Sequence, residues 1–196
     1  MKNMKIGFVG NCQANALCWY FRKLLQSDFY WVDGVFGKDN PYTNNQNRFL
    51  DQTKFNIDDH EIGIKYLKSC DVIIYQKIRP ERNVYFNYLK IEKEYSNENT
   101  KLISFPHIFF NEESGDYKEM AIREEKNNIS IRASEIIKNN KNNQLMVRGI
   151  KNHDYPTAFF FIEIIKVMLD ILDIQLDANI YSHYLKLGYP FEKYEK

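Results

Sequence analysis

The sequence predicts an α/β protein, in which a small, mostly parallel sheet flanked by helices is followed by a helical C-terminal third. Three observations carry that expectation. The apolar run Lys5-Ile6-Gly7-Phe8-Val9-Gly10 leads almost directly into apolar positions at helical spacing, and then into a second run of aromatic and β-branched residues. Two more strand-like runs follow, Asp71 to Gln76 and Lys101 to Phe105, with helical spacing ahead of each. A long apolar stretch, Ala158 to Leu172, has the period of a helix. Strands that alternate with helices pair in parallel, because the connection must cross over the sheet.

The elements follow in order. The first strand ends at Gly10, and Ala14, Leu17, Cys18, Phe21, Leu24 and Leu25 recur at helical spacing from Cys12 to about Asp28. Tyr30 to Phe36 reads as a strand closing at Gly37. Residues 38 to 56 are rich in Asn, Gln and Asp and read as a long loop. His60 to Ser69 suits a short helix ahead of the strand Asp71 to Gln76, and helical spacing returns at Val84, Tyr85, Tyr88 and Leu89. Lys101 to Phe105 is a fourth strand, stopped by Pro106. The polar region from 112 to 143 shows one helix, around Ile129 to Ile137, and a hydrophilic connection at Asn139 to Asn143. Leu145 to Val147 reads as extended. Pro156 suits the first turn of the long helix, with Asp154 or Tyr155 as its cap.

A chain of 196 residues is the size of one domain, with residues up to about 110 forming the sheet and the remainder a mainly helical cover. Net charge is +1, and acidic and basic residues are interleaved, so the electrostatic stripe of a nucleic-acid binder is missing. Glu163, Lys166, Asp170 and Asp173 interrupt the longest apolar stretch at spacings of three and four, which describes a buried helix with one polar stripe and not a bilayer span. The N-terminal apolar run is too short for a signal peptide, and Cys12, Cys18 and Cys70 form no metal-ligand pattern. Reduced thiols and a cytoplasmic location are therefore expected. The aromatic fraction of 15% fits a homo-oligomer or a carbohydrate-facing cleft.

Gly10-Asn11-Cys12-Gln13 lies where a parallel strand ends and a helix begins, the position at which open α/β sheets hold ligands. Backbone N–H groups and the positive end of the helix dipole face outward there. A thiol in that turn ionises more readily than an ordinary cysteine and can act as a nucleophile. The same amides can bind a phosphate or an oxyanion. Cys12 also fits a plain packing role in a tight turn. Cys18 and Cys70 fall on apolar faces and read as core.

Among the four histidines, His107 follows a strand and Pro106, and His153 precedes the long helix, so both are candidates for a neutral-pH general base at the carboxyl edge of the sheet. His60 opens an ordinary helix and His183 sits among aromatic residues, which suits structural roles. After Gln76 come Lys77, Arg79 and Arg82, a set of cations that can hold phosphate or an acidic sugar and that Glu81 partly offsets.

Several separated segments agree with one family. Gly10-Asn11-Cys12-Gln13-Ala14 after an N-terminal strand resembles the opening of the WcbI-like polysaccharide-biosynthesis proteins. So do Asp71 to Gln76 followed by Ile78-Arg79, the run Ser104-Phe105-Pro106-His107-Ile108-Phe109-Phe110, and Asn152-His153 with Pro156 before a long helix. The resemblance runs from residue 5 to about 172. It implies a coenzyme A-binding protein of capsule or surface-polysaccharide synthesis, an acetyltransferase that uses acetyl-CoA as co-substrate. By matching positions it implies a site made of Asn11, Cys12, Gln13, Gln76, Arg79, His107 and His153. Here Asp154 and Tyr155 stand between His153 and Pro156, where the family pattern has a shorter His-Pro step.

Three functions follow. The first is O-acyl transfer from an acyl-CoA to a sugar hydroxyl, either directly with His107 or His153 as base or through an acyl group on Cys12. In either version Asn11, Gln13 and Gln76 line the site, while Arg79 and Arg82 hold the coenzyme A phosphates. The second is an SGNH-like esterase with Cys12 in place of serine, although the Gly-Asp-Ser opening of such enzymes is absent. The third is a non-catalytic module that binds coenzyme A or a nucleotide.

Overall fold

The computed structural model describes residues 4–25, 30–33, 56–57, 60–108, 117–143, 145–148, 154–177 and 179–182. The chain divides into two compact units, Met1–Phe105 and Pro106–Lys196.

The first unit is built on a five-stranded sheet. Its elements are β1 (Ile6–Gly10), α1 (Cys12–Leu25), β2 (Tyr30–Asp33), β3 (Asn56–Ile57), α2 (His60–Leu67), β4 (Val72–Gln76), α3 (Tyr88–Lys90) and β5 (Lys101–Phe105). A π-helical turn, Ile91–Tyr95, continues α3. The strand order is β3-β2-β1-β4-β5, and every neighbouring pair is parallel. The chain thus winds outward from β1 and then returns to the other side of β1 with β4, which makes the sheet doubly wound.

Every residue of β1 and β4 is buried, the uninterrupted burial of a parallel sheet covered on both faces. Alternation along β1 divides its side chains between two layers. Val9 joins Tyr66, Leu67, Cys70, Ile73, Tyr75, Phe86, Ile91 and Tyr95 in one core cluster on the α2 side. Phe8 instead meets Phe21 of α1 edge-on, with ring centroids 5.2 Å apart. Gly7 permits the close approach of α2, since a Cβ there would lie 2.9 Å from Leu67 Cδ2 and 3.0 Å from Cys70 Sγ. The Tyr66 hydroxyl then donates to the Ile6 carbonyl at 2.7 Å, tying α2 to the sheet.

The second unit contains α4 (Tyr117–Lys126), α5 (Ala133–Asn139), an antiparallel pair of β6 (Met146–Arg148) and β7 (Asp154–Pro156), and α6 (Ala158–Ile171). Among the described residues no helix is long and apolar enough to cross a membrane. The Glu163 and Lys166 side chains on the polar stripe of α6 pair at 2.5 Å. Asp173 lies just past the helix in a left-handed conformation, where Ile174 N–H closes on Leu169 O at 2.9 Å.

The structure departs from the sequence reading in four places. Asn56–Ile57 adds a fifth strand from the end of the expected loop, whose remainder lies outside the described residues. Among the described residues of the region from 112 to 143 there are two helices where one was expected, and α4 carries no apolar stripe to announce it, since it buries only Met120 and Glu124 and leaves Ile122 exposed. Val84 and Tyr85 are exposed and lie outside helix, while Asn83 Oδ1 accepts the backbone N–H groups of Tyr85 and Phe86, both at 2.8 Å. Finally, Asp154–Pro156 is a strand, and Thr157 caps α6, its hydroxyl accepting from Phe160 N–H at 3.3 Å. Pro156 sits opposite Met146 in a two-stranded pair, where a missing N–H is tolerated.

Glu124 of α4 is 1% exposed, and its carboxylate accepts the Ser134 N–H at 3.2 Å and the Ser134 hydroxyl at the start of α5. Burial pushes its carboxyl pKa up, and these hydrogen bonds offset only part of the shift. A raised folded pKa means that the contribution of this group to stability is complete below the ordinary carboxylate range and is lost as pH climbs through the raised value. Glu124→Gln is therefore expected to melt above wild type near neutral pH, with the gap closing as the buffer is acidified. Melting temperatures across that range check it, and a gap that widens in acid would contradict it.

Candidate functional site

The carboxyl ends of β1 and β4 lie side by side, with Val9 in register with Tyr75. This is where strand order reverses, and a doubly wound sheet opens its ligand crevice at that point. β1 delivers Gly10 and the turn into α1, and β4 delivers Gln76.

Three side chains lock the turn in a closed ring. Asn11 N–H donates to Gln76 Oε1 at 2.9 Å, Gln76 Nε2 donates to Gln13 Oε1 at 3.2 Å, and Gln13 N–H donates to Asn11 Oδ1 at 2.9 Å. Asn11 thereby acts as the N-cap of α1, and its carbonyl accepts from Asn15 N–H at 3.2 Å. Gln13 and Gln76 are buried, where an unpaired amide costs about 1–3 kcal/mol, so the ring removes that penalty by pairing each with a neighbour. Gly10 is required by this closeness. Its φ is +156°, and a Cβ there would lie 2.6 Å from Gln76 Oε1 and 2.8 Å from the Ala14 Cβ.

The three bonds of the ring do not use the Cys12 side chain. It is half-buried at the first residue of a 14-residue helix, on the positive end of the helix dipole. The other two cysteines are buried thiols. Burial pushes the Cys18 thiol well up, although Arg22 opposes it. Burial likewise pushes Cys70 up to about 12, against the pull of Lys5 and a hydrogen bond with Tyr66. Iodoacetamide added to the folded protein near neutral pH is therefore expected to modify Cys12 first, with Cys18 and Cys70 reacting only on unfolding. Peptide mapping reads this directly, and comparable labelling of all three would refute it.

After β4 the chain forms an ordered turn in which Ile78 N–H meets Gln76 O at 2.7 Å and Tyr88 N–H meets Ile78 O at 2.9 Å. Lys77 is engaged by Glu92 at 3.2 Å, and Glu92 also accepts the Tyr75 hydroxyl at 2.5 Å. Burial, and then the Glu92 hydrogen bond and charge, push the Tyr75 phenol far up, so it stays protonated as a structural donor. Arg79 is 76% exposed and lies 3.9 Å from the equally solvated Glu81, an ion pair worth at most about 1 kcal/mol. Arg82 is also exposed.

The structure thus brings Asn11, Cys12, Gln13 and Gln76 together and places Arg79 and Arg82 on the exposed turn that follows. Of the groups expected to contact a ligand, the Asn11 and Gln13 side-chain oxygens and the Gln76 carboxamide bond within the ring and hold the turn in shape. His107 belongs to the second unit. It has solvent access, yet the protein around its ring lowers the imidazole pKa by desolvation, which keeps it neutral near pH 7. Solvent contact limits that shift. His153 and His183 lie outside the described residues.

Sequence reasoning passed over Asn15. It is 1% exposed, and its Oδ1 is the one buried side-chain oxygen or nitrogen without a hydrogen-bond partner among the described residues. The available signal was a polar residue amid Ala14, Ala16, Leu17 and Cys18, four positions after Asn11. In comparisons with known proteins, no family model, no curated protein and no solved structure matches this chain.

Proposed function

We propose that this protein is a cytoplasmic acyltransferase that moves an acetyl group from acetyl-CoA to a hydroxyl of a capsular or surface-polysaccharide sugar, with Cys12 carrying the acyl group in between. The observation that supports this most is the half-buried Cys12 thiol at the first residue of α1, beside the strand-order reversal and framed by the Asn11–Gln13–Gln76 ring. The resemblance of the Gly10-Asn11-Cys12-Gln13 segment to WcbI-like proteins supports coenzyme A as the donor.

The chemistry balances in two steps. Cys12 loses its proton, and Sγ attacks the thioester carbonyl. The carbonyl carbon's bond to the coenzyme A sulfur breaks, and the departing thiolate takes up a proton. The sugar oxygen then attacks the acyl-Cys12 carbonyl, gives its proton to a base, and expels the Cys12 thiolate. The positive end of α1 favours the thiolate in both steps and the oxyanion between them. His107 and His153 are the candidate bases, and a neutral imidazole is the form that accepts a proton. Arg79 and Arg82 offer guanidinium groups to the phosphates of coenzyme A.

The test is to incubate purified protein with acetyl-CoA or coenzyme A, follow thermal unfolding, and map any acetyl group by mass spectrometry. Ligand at a hundredfold above its Kd stabilises a folded protein by about 2.7 kcal/mol, a readable shift. Stabilisation together with acetyl on Cys12 supports the proposal. No stabilisation and no acetyl-Cys12 would end it, and turnover of simple esters without coenzyme A would point to the hydrolase instead.

A further inference from the structure

Asn15 stands one helical turn past Cys12 and is buried with a carboxamide oxygen that pairs with nothing among the described residues. Asn15 follows Cys12 by three residues, so the two share one face of α1, with Cβ atoms about 5–6 Å apart. Side chains on a helix tilt toward its N-terminus, which aims Asn15 back over the turn that holds Cys12. Buried polar atoms in folded proteins nearly always have partners, and the other buried amides nearby obey that rule. Gln13 and Gln76 close the ring, and Asn87 caps α3 with its Oδ1 while its Nδ2 donates to the carbonyls of Asn83 and Val84. Among the described residues, Asn15 Oδ1 is the one buried side-chain oxygen or nitrogen without a partner.

We propose that Asn15 contacts the ligand of this site, its carboxamide oxygen accepting a hydrogen bond from a neutral donor that sits within a few bonds of the acyl group bound at Cys12. The inference rests on the acyltransferase reading above and adds a specificity-determining residue to it. An acceptor oxygen disfavours a phosphate or carboxylate at that point and favours an amide N–H or a hydroxyl. Two sources carry this chemistry: the amide nearest the sulfur in the arm of an acyl-CoA, and a hydroxyl beside the attacking oxygen of the sugar. Rotation about the soft terminal torsion of the side chain turns Oδ1 toward the incoming donor. The orphaned acceptor then gains in the complex the bond it lacks without ligand.

The experiment compares two small thioesters on the full chain, S-acetyl-N-acetylcysteamine, which carries that amide, and S-ethyl thioacetate, which does not. The readout is the rate at which Cys12 gains an acetyl group, followed by intact-protein mass spectrometry. Wild type is expected to react about tenfold faster with the amide-bearing thioester, the value of one added hydrogen bond. In Asn15→Leu the preference should shrink to about twofold or less, with a melting temperature no lower than wild type because the unpaired amide is gone. The wild-type ratio is read against the ratio of the two thioesters with a free thiol, which removes the difference in leaving-group acidity, and Asn15→Ala serves where the leucine variant does not fold.

A second arm loads Cys12 with acetyl and measures how fast a panel of free monosaccharides empties it. Equal thioester rates in wild type, with sugar-accelerated emptying that Asn15→Leu loses, assign the donor to the acceptor hydroxyl. Unchanged acylation and emptying in the variant would overturn the Asn15 inference and leave the acyltransferase reading standing. Failure of acetyl-CoA and both thioesters to acylate wild-type Cys12 would overturn the acyltransferase reading, and the Asn15 inference with it.

Discussion

Cys12→Ala is expected to reduce acetyl transfer by roughly 10⁶-fold, the scale on which removal of a covalent nucleophile acts, while leaving the fold in place. The two effects separate because of where the residue sits. Cys12 opens α1 and is half-buried, so truncating it leaves no large core cavity, and alanine is the better helix former. Stability should change by less than about 1 kcal/mol. The ring of Asn11, Gln13 and Gln76 uses no atom of the thiol, so the turn should keep its shape. Steady-state transfer from acetyl-CoA, read beside a urea unfolding curve, checks both halves. Retained turnover in a folded variant would mean that the sugar attacks the thioester directly and that Cys12 only lines the turn.

Gly10→Ala is expected to cost more stability than the same methyl added at Gly7, the other close-packed glycine of β1. The new Cβ would fall 2.6 Å from Gln76 Oε1 and 2.8 Å from the Ala14 Cβ, on a backbone whose φ of +156° suits glycine alone. Backbone strain of about 1–3 kcal/mol adds to overpacking of similar size, so a loss of about 2–5 kcal/mol is expected. Gln76 cannot move aside without cost, because it holds both Asn11 N–H and the Gln13 side chain. Displacing it opens the ring and lets the first turn of α1 shift, so ligand binding should fail even in conditions where the protein stays folded. Gly7→Ala is the matched control. There the added Cβ meets the side-chain ends of Leu67 and Cys70, which can adjust, and the loss should be smaller. Urea midpoints for the two variants rank them, and an equal or larger loss at Gly7 would show that the Gly10 contact is not tight.

Much of the first unit could be read along the chain because its elements are strongly periodic. β1, α1, β4 and β5 each carry a local signal that the tertiary structure has no reason to override: a short apolar run ended by glycine, glutamine or proline, or apolar residues at helical spacing. The strand–turn–helix step at Gly10-Asn11-Cys12-Gln13 is local too, and from it came the candidate site. α4 stayed hidden because its inner face is held by a glutamate paired to a serine and not by an apolar stripe. The cap of α6 was misplaced because Pro156 and Thr157 both suit a helix start, and only pairing with Met146 draws the proline into a strand.

By itself, then, the sequence determined that this is an α/β chain whose first strand runs into a helix through a cysteine-bearing turn, because hydrophobic period and turn chemistry act over a few residues. Only the tertiary structure decided that β4 lies against β1, so that Gln76, sixty-five positions after Asn11, closes the ring that shapes the turn. It alone showed that Asn11, Gln13 and Gln76 are engaged with one another and that Asn15 is buried with an unanswered oxygen. The physical reason is that a hydrogen bond between distant residues leaves no trace in local spacing. Amides look alike in a sequence, and which of them is satisfied depends on what the fold brings to within about 3 Å.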